Sequence, residues 1–101
     1  RDITVGSIVV VAYEDDWAVG EVREVENSER FSVNFMERTR KEEGVHIFYW
    51  PHRPALYVVD RKFVLTTLSR DKLEPHICST SRKPLTVIKG WEDLEKLYTM
   101  Y

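Results

Sequence analysis

The sequence predicts an all-β domain, a small antiparallel barrel of about five strands followed by a C-terminal helix. Three observations predict it. Short runs rich in Val, Ile, Phe and Tyr recur through residues 5–68, separated by acidic, Asn/Ser or Pro-containing turns. One of them, "RFSVNFM", carries Phe31, Val33 and Phe35 in period two, the signature of a half-buried strand. From Trp91 onward the apolar spacing changes to three and four residues, the period of a helix.

Taken in order, "VGSIVVVAY" (Val5 to Tyr13) is β-branched and almost continuously apolar, which suits a strand buried on both faces. "WAVGEVREVE" (Trp17 to Glu26) alternates until Gly20, where the phase breaks. A glycine inside a strand marks a bulge, a bend or a close approach of backbones. Asn27 and Ser28 supply turn chemistry before "RFSVNFM". The charged loop "ERTRKEEG" leads to a fourth strand, "VHIFYW", stopped by Pro51, which lacks the amide hydrogen a ladder needs. "PHRPALYVVD" reads as an irregular connection because of its two prolines, and "RKFVLTTL" (Arg61 to Leu68) as the fifth strand. The barrel is thus expected over residues 1–69. Residues 70–101 are expected to form a polar loop ("SRDKLEPHICSTSRKP"), a short strand from Leu85 to Ile88, and a helix. That helix would pack on the barrel through Trp91, Leu94, Leu97, Tyr98 and Tyr101.

With 101 residues, 43% of them hydrophobic and 32% charged, the chain has the composition of one folded domain. No apolar run approaches the roughly 20 residues of a membrane span, and no signal pattern precedes the first strand. A membrane role is not expected. The chain begins at Arg1 rather than Met, so the expectation is a monomeric domain of a larger protein. Cys78 has no second cysteine to pair with, which favours a reducing compartment, nucleus or cytoplasm. The net charge of −2 conceals an asymmetry: residues 1–30 hold eight acids against three bases, and residues 31–70 seven bases against four acids.

Catalytic chemistry has little to build on. One cysteine and three histidines (His46, His52, His76) are scattered over separate segments, which excludes a recognisable four-ligand zinc spacing. There is no phosphate-binding glycine loop and no nucleophile elbow. The expectation is a non-catalytic binding module with neither metal nor cofactor. Several aromatics stand at strand ends, Tyr13, Trp17, Phe35, Phe48, Tyr49 and Trp50 among them. Rings converging at one end of a small barrel make electron-rich walls for a cation, and a nearby acid favours it further. The competing reading is that these rings fill a small core.

The stretch "VGSIVVVAYEDDWAVGEVREVENSERFSVNFME" resembles the opening of a Tudor-type barrel, a chromatin-associated branch of the SH3-like folds. The matching elements are "V-G-x-x-V-x-x-x-Y", an acidic turn, an aromatic, "G-x-V", a short turn and "V-x-F", and the likeness covers about residues 5–68. A further segment, "VNFMERTRKEEGVHIFYWPHRPALYVVDRKFVLTTL", is similar to small barrel segments of mobile-element-derived proteins. The Tudor resemblance implies a nuclear reader that docks methyl-lysine or methyl-arginine, often from a histone tail, in an aromatic cage. It places Tyr13 at the first cage position, Phe35 at the end of the third strand, and Tyr49 or Phe48 near the last. Where family members carry a tyrosine two residues before the glycine, this chain has Ala18, with Trp17 one residue earlier.

The expected ligand-binding set is therefore Tyr13, Asp15, Asp16, Trp17, Phe35 and Tyr49, receiving a basic or methylated peptide. The alternative is a nucleic-acid strip of Arg38, Arg40, Lys41, Arg53, Arg61 and Lys62, although a pI near 5.9 is low for such a domain. A third reading is a constitutive protein–protein interaction domain using a barrel edge or the terminal helix. One residue separates these readings: a one-position shift on a strand reverses the facing of Trp17.

Overall fold

The computed structural model describes residues 3–38, 47–76 and 85–101. Within them the chain is all-β, with antiparallel sheets and one C-terminal helix. The elements are β1 (Ile8–Tyr13), β2 (Asp16–Asn27), β3 (Arg30–Phe35), β4 (Glu37–Arg38), β5 (Ile47–Tyr49), β6 (Leu56–Asp60), β7 (Val64–Leu68), β8 (Leu73–His76), β9 (Leu85–Ile88) and α1 (Trp91–Met100). Short 3₁₀ turns at Arg61–Phe63 and Arg70–Lys72 precede β7 and β8.

Five strands form one sheet in the order β6-β3-β2-β1-β7. Its margins, β6 and β7, would lie about 19 Å apart if the sheet were flat, four strand spacings of ~4.8 Å. The 3₁₀ turn that joins them has three residues and spans only about 6 Å at ~2 Å per residue. The sheet must therefore roll up. Its concave face encloses Val9, Val11, Val22, Phe31, Val33 and Val59, with Ile3 covering them.

The second sheet, β4-β5-β9-β8, lies against the convex face together with α1. Between the layers are Ile8, Val10, Trp17, Val19, Met36, Phe48, Ile88 and Leu94. Strand β1 thus contributes Val9 and Val11 to one core and Ile8 and Val10 to the other, which is why its apolar run is continuous. On α1 only Leu94 is fully buried; Trp91 and Tyr98 pack at the margin of this core. No helix among the described residues is long and apolar enough to cross a membrane.

Three expected elements differ. The segment read as an irregular connection contains β6, which supplies the fourth strand of the rolled sheet by pairing with β3. Pro51 and Pro54 lie before the strand, so "LYVVD" is free to extend. "VHIFYW" contributes Ile47–Tyr49 to the second sheet instead, pairing with β4 and β9. The polar stretch after Ser69 contains β8, where Pro75 is accommodated because β8 is an edge strand.

Candidate functional site

At the turn end of the rolled sheet, three aromatic side chains from three strands wall one open cleft of about 480 Å³: Tyr13 from the end of β1, Phe35 from the end of β3, and Tyr57 from β6. Strand pairing brings them together. Val11 faces Ala18, Gly20 faces Phe35 and Val33 faces Tyr57, so these residues share the concave side of the sheet. Phe35 and Tyr57 stand 6.1 Å apart at 50°. Tyr13 is 58% exposed and Tyr57 57% exposed. Glu37 and Arg53 stand at the border, and Ala18 forms part of the wall. A continuing depression of about 330 Å³ runs past Tyr13, Phe35 and Tyr57 toward Glu14, Asp60 and Phe63.

Gly20 makes this geometry possible. A β-carbon there would lie 2.5 Å from Val33 Cγ1, 2.8 Å from the Asn34 carbonyl oxygen and 3.0 Å from Phe35 Cδ1. Of the three readings open to this glycine, the close approach of backbones is the one seen at Gly20 itself. The ladder irregularity comes later, between Val22 and Glu24.

Of the expected ligand residues, Tyr13 and Phe35 line the cleft. Trp17 does not. It pairs with Ala12 on the convex face, is 2% exposed, and packs against Phe48 with ring centroids 5.9 Å apart. It does meet a cation, but the chain's own: the Arg38 guanidinium lies 4.9 Å from the Trp17 ring centre and 5.1 Å from that of Phe48. Arg38 also donates to Asp16 Oδ2 at 2.5 Å and to the Trp17 carbonyl at 3.2 Å. One expected ligand acid and one expected phosphate-binding base are therefore paired with each other over a core tryptophan.

Asp15 is exposed on the side of α1, close enough to Tyr98 that its charge, after burial, helps raise that phenol's pKa. Tyr98 donates its hydroxyl hydrogen to the Glu14 carbonyl at 2.7 Å, holding the turn in which Glu14 adopts a left-handed φ of 45°. Tyr49 is half-buried and is not part of the cleft wall; its hydroxyl is hydrogen-bonded to the Glu37 carboxylate, which raises its pKa.

The basic residues of the alternative strip are dispersed in their contacts. Arg53 borders the cleft, Arg61 bonds the Ser28 carbonyl and lies over Phe31, and Lys62 lies over Phe63. Arg40, Lys41, His46 and Cys78 lie outside the described residues. Among the described residues no three His, Cys, Asp or Glu side chains cluster as metal ligands would.

Tyr57 escapes the sequence reading because the two prolines before it give its segment the look of a connection. The available signal was the run "LYVVD" itself, aromatic or β-branched at the three consecutive positions Tyr57, Val58 and Val59. Comparison of the chain with protein-family models, curated proteins and solved structures gives no match.

Proposed function

We propose that this domain is a non-catalytic, chromatin-type reader that receives a basic side chain of a peptide, methyl-lysine or methyl-arginine, between Tyr13, Phe35 and Tyr57. One observation carries this reading: three aromatic rings converge on one cleft, two of them more than half exposed, with Glu37 among the residues at its border. Folding alone favours burying such rings, each worth on the order of 1.5–3 kcal/mol when removed from water. Held open, they make a site for a cation that is itself partly apolar. Methylation suits it, because an alkylated ammonium keeps its charge while losing hydration. Tyr57 supplies the aromatic wall that Ala18 leaves out of the cage the Tudor-like resemblance implies. A histone tail in the nucleus is the peptide source that resemblance implies.

Each ring contributes roughly 0.5–2 kcal/mol to a bound cation. Affinities in the micromolar to millimolar range are therefore expected. The test is a titration of isotope-labelled protein with histone-like peptides bearing unmodified or methylated Lys and Arg, followed by the Tyr57→Ala variant. Shifts are expected at Tyr13, Phe35 and Tyr57, with about tenfold weaker binding after Tyr57→Ala, a loss of ~1.4 kcal/mol. No shifts at these residues, or an unaffected Tyr57→Ala variant, defeats the reading. A short duplex titrated at two salt concentrations is the parallel arm: tight binding there that weakens with salt would transfer the function to the basic residues.

A further inference from the structure

The open margin of the rolled sheet lies beside the cleft, because Tyr57 belongs to both. Strand β6 ends the strand order, and among the described residues it pairs only with β3. Leu56, Tyr57 and Val58 are 49%, 57% and 58% exposed, three consecutive uncharged residues on a sheet edge. Soluble proteins usually blunt such edges with lysine, proline or a bulge, and none interrupts these three.

The hydrogen-bonding side of this edge follows from the ladder. The Arg61 amide donates to the Glu29 carbonyl at 2.7 Å, continuing the register in which Phe31 faces Val59 and Val33 faces Tyr57. In an antiparallel pair, bonded and non-bonded positions alternate. Tyr57 and Val59 therefore direct their backbone groups to β3, while Leu56 and Val58 direct theirs outward. The side chains alternate as well: Tyr57 walls the cleft, and Leu56 and Val58 lie on the opposite face.

We infer that the peptide of the proposed function binds as an added strand on β6, with its cationic residue in the Tyr13–Phe35–Tyr57 cleft and the residues on either side of it against Leu56 and Val58. The inference rests on the cleft's reading as a cation site and deepens it by naming the ligand class: an extended segment in which a methylated base is flanked directly by apolar residues. Backbone pairing supplies affinity and the alternating side chains supply selectivity. Charge selects this occupant over a second copy of the chain. The cleft and its continuation are bordered by three acids, Glu14, Glu37 and Asp60, against one base, Arg53, and β6 itself, "LYVVD", has no base to offer.

The test uses the full chain with a short trimethyl-lysine peptide flanked by valines and its counterpart flanked by glycines. Val58→Pro removes one outward amide without touching the β3 ladder, and Leu56→Lys places a charge on the apolar face while leaving the backbone intact. Expected are a loss of about fivefold or more in affinity for each variant, a preference of similar size for the valine-flanked peptide, and slower exchange of the Val58 amide when peptide is bound. If Val58→Pro does not fold, Leu56→Lys and the exchange measurement decide. Binding that needs Tyr57 yet is indifferent to Leu56→Lys and to the flanking residues, with Val58 exchange unchanged, overturns strand addition and leaves the cleft reading standing. Absence of binding by either peptide overturns both. Sedimentation showing a dimer that Leu56→Lys dissociates would give the edge to a second copy and overturn the proposal.

Discussion

At the scale of single residues, the contrast between Trp17 and Ala18 separates the core from the cleft. Trp17 is buried beneath Arg38 and against Phe48, and Ala18 faces the cleft. Truncating a buried aromatic costs about 3–5 kcal/mol, a large part of the roughly 5–15 kcal/mol that holds a domain together. Trp17→Ala is accordingly expected to lower the urea midpoint sharply. Trp17→Phe, which keeps most of the volume, should leave peptide affinity within about twofold of wild type, a difference of ~0.4 kcal/mol. A large affinity loss in a folded Trp17→Phe protein would return Trp17 to the site. The two acids of the turn separate in the same way: Asp16 is held by Arg38, whereas Asp15 remains exposed near Tyr98.

At the scale of elements, β2 and β3 approach closely at Gly20, and the position of Phe35 depends on it. A methyl group at residue 20 meets the Asn34 carbonyl, which belongs to the ladder and cannot rotate away, as well as Phe35. Overpacking of this kind costs about 1–3 kcal/mol. Gly20→Ala is expected to lose that much in denaturant unfolding and to shift the Phe35 and Tyr57 resonances; wild-type stability would show that the strands can separate without cost. The sequence marked Gly20 as special without saying which strand comes near it. It also showed β1, β2 and β3, whose apolar positions follow the patterns their burial demands. Strand β6 was hidden by the prolines before it, and β8 by its polar composition and internal proline. Both are edge strands, which need only one hydrogen-bonding partner and leave more of their side chains in water.

At the scale of the whole molecule, α1 ties the tail to the site. Tyr98 donates to the Glu14 carbonyl, and Tyr101 donates to the Lys62 carbonyl at 3.2 Å, so the last turn of the chain braces both sides of the rolled sheet's end. This tie is sensitive to alkali. Burial, followed by the charges of Asp15 and Asp16, raises the Tyr98 pKa above its ordinary 10.0. The hydrogen bond to Glu37 raises that of Tyr49, and the hydrogen bond to Glu74 raises Lys89 above 10.5. A raised folded-state pKa means that the unfolded chain releases its proton first. Between the two values the native state binds more protons, so stability falls as pH rises. Unfolding free energy is therefore expected to decline from about pH 10 upward, through the ordinary tyrosine and lysine range. In Tyr98→Phe the decline should be shallower, because the phenol that titrates is gone. A decline of equal steepness in that variant would place the alkaline sensitivity elsewhere.

The sequence by itself determined the β class, the terminal helix, the double burial of β1 and two of the three cleft aromatics, because these follow from periodicity and from which residues a strand can hide. Only the tertiary structure decided that Trp17 belongs to a core, that Arg38 and Asp16 neutralise each other, and that Tyr57 completes the cleft. Those outcomes depend on register and on which strands become neighbours. Such contacts join residues far apart in the chain, as Asp16 with Arg38 and Tyr13 with Tyr57, and no local pattern of polarity encodes them.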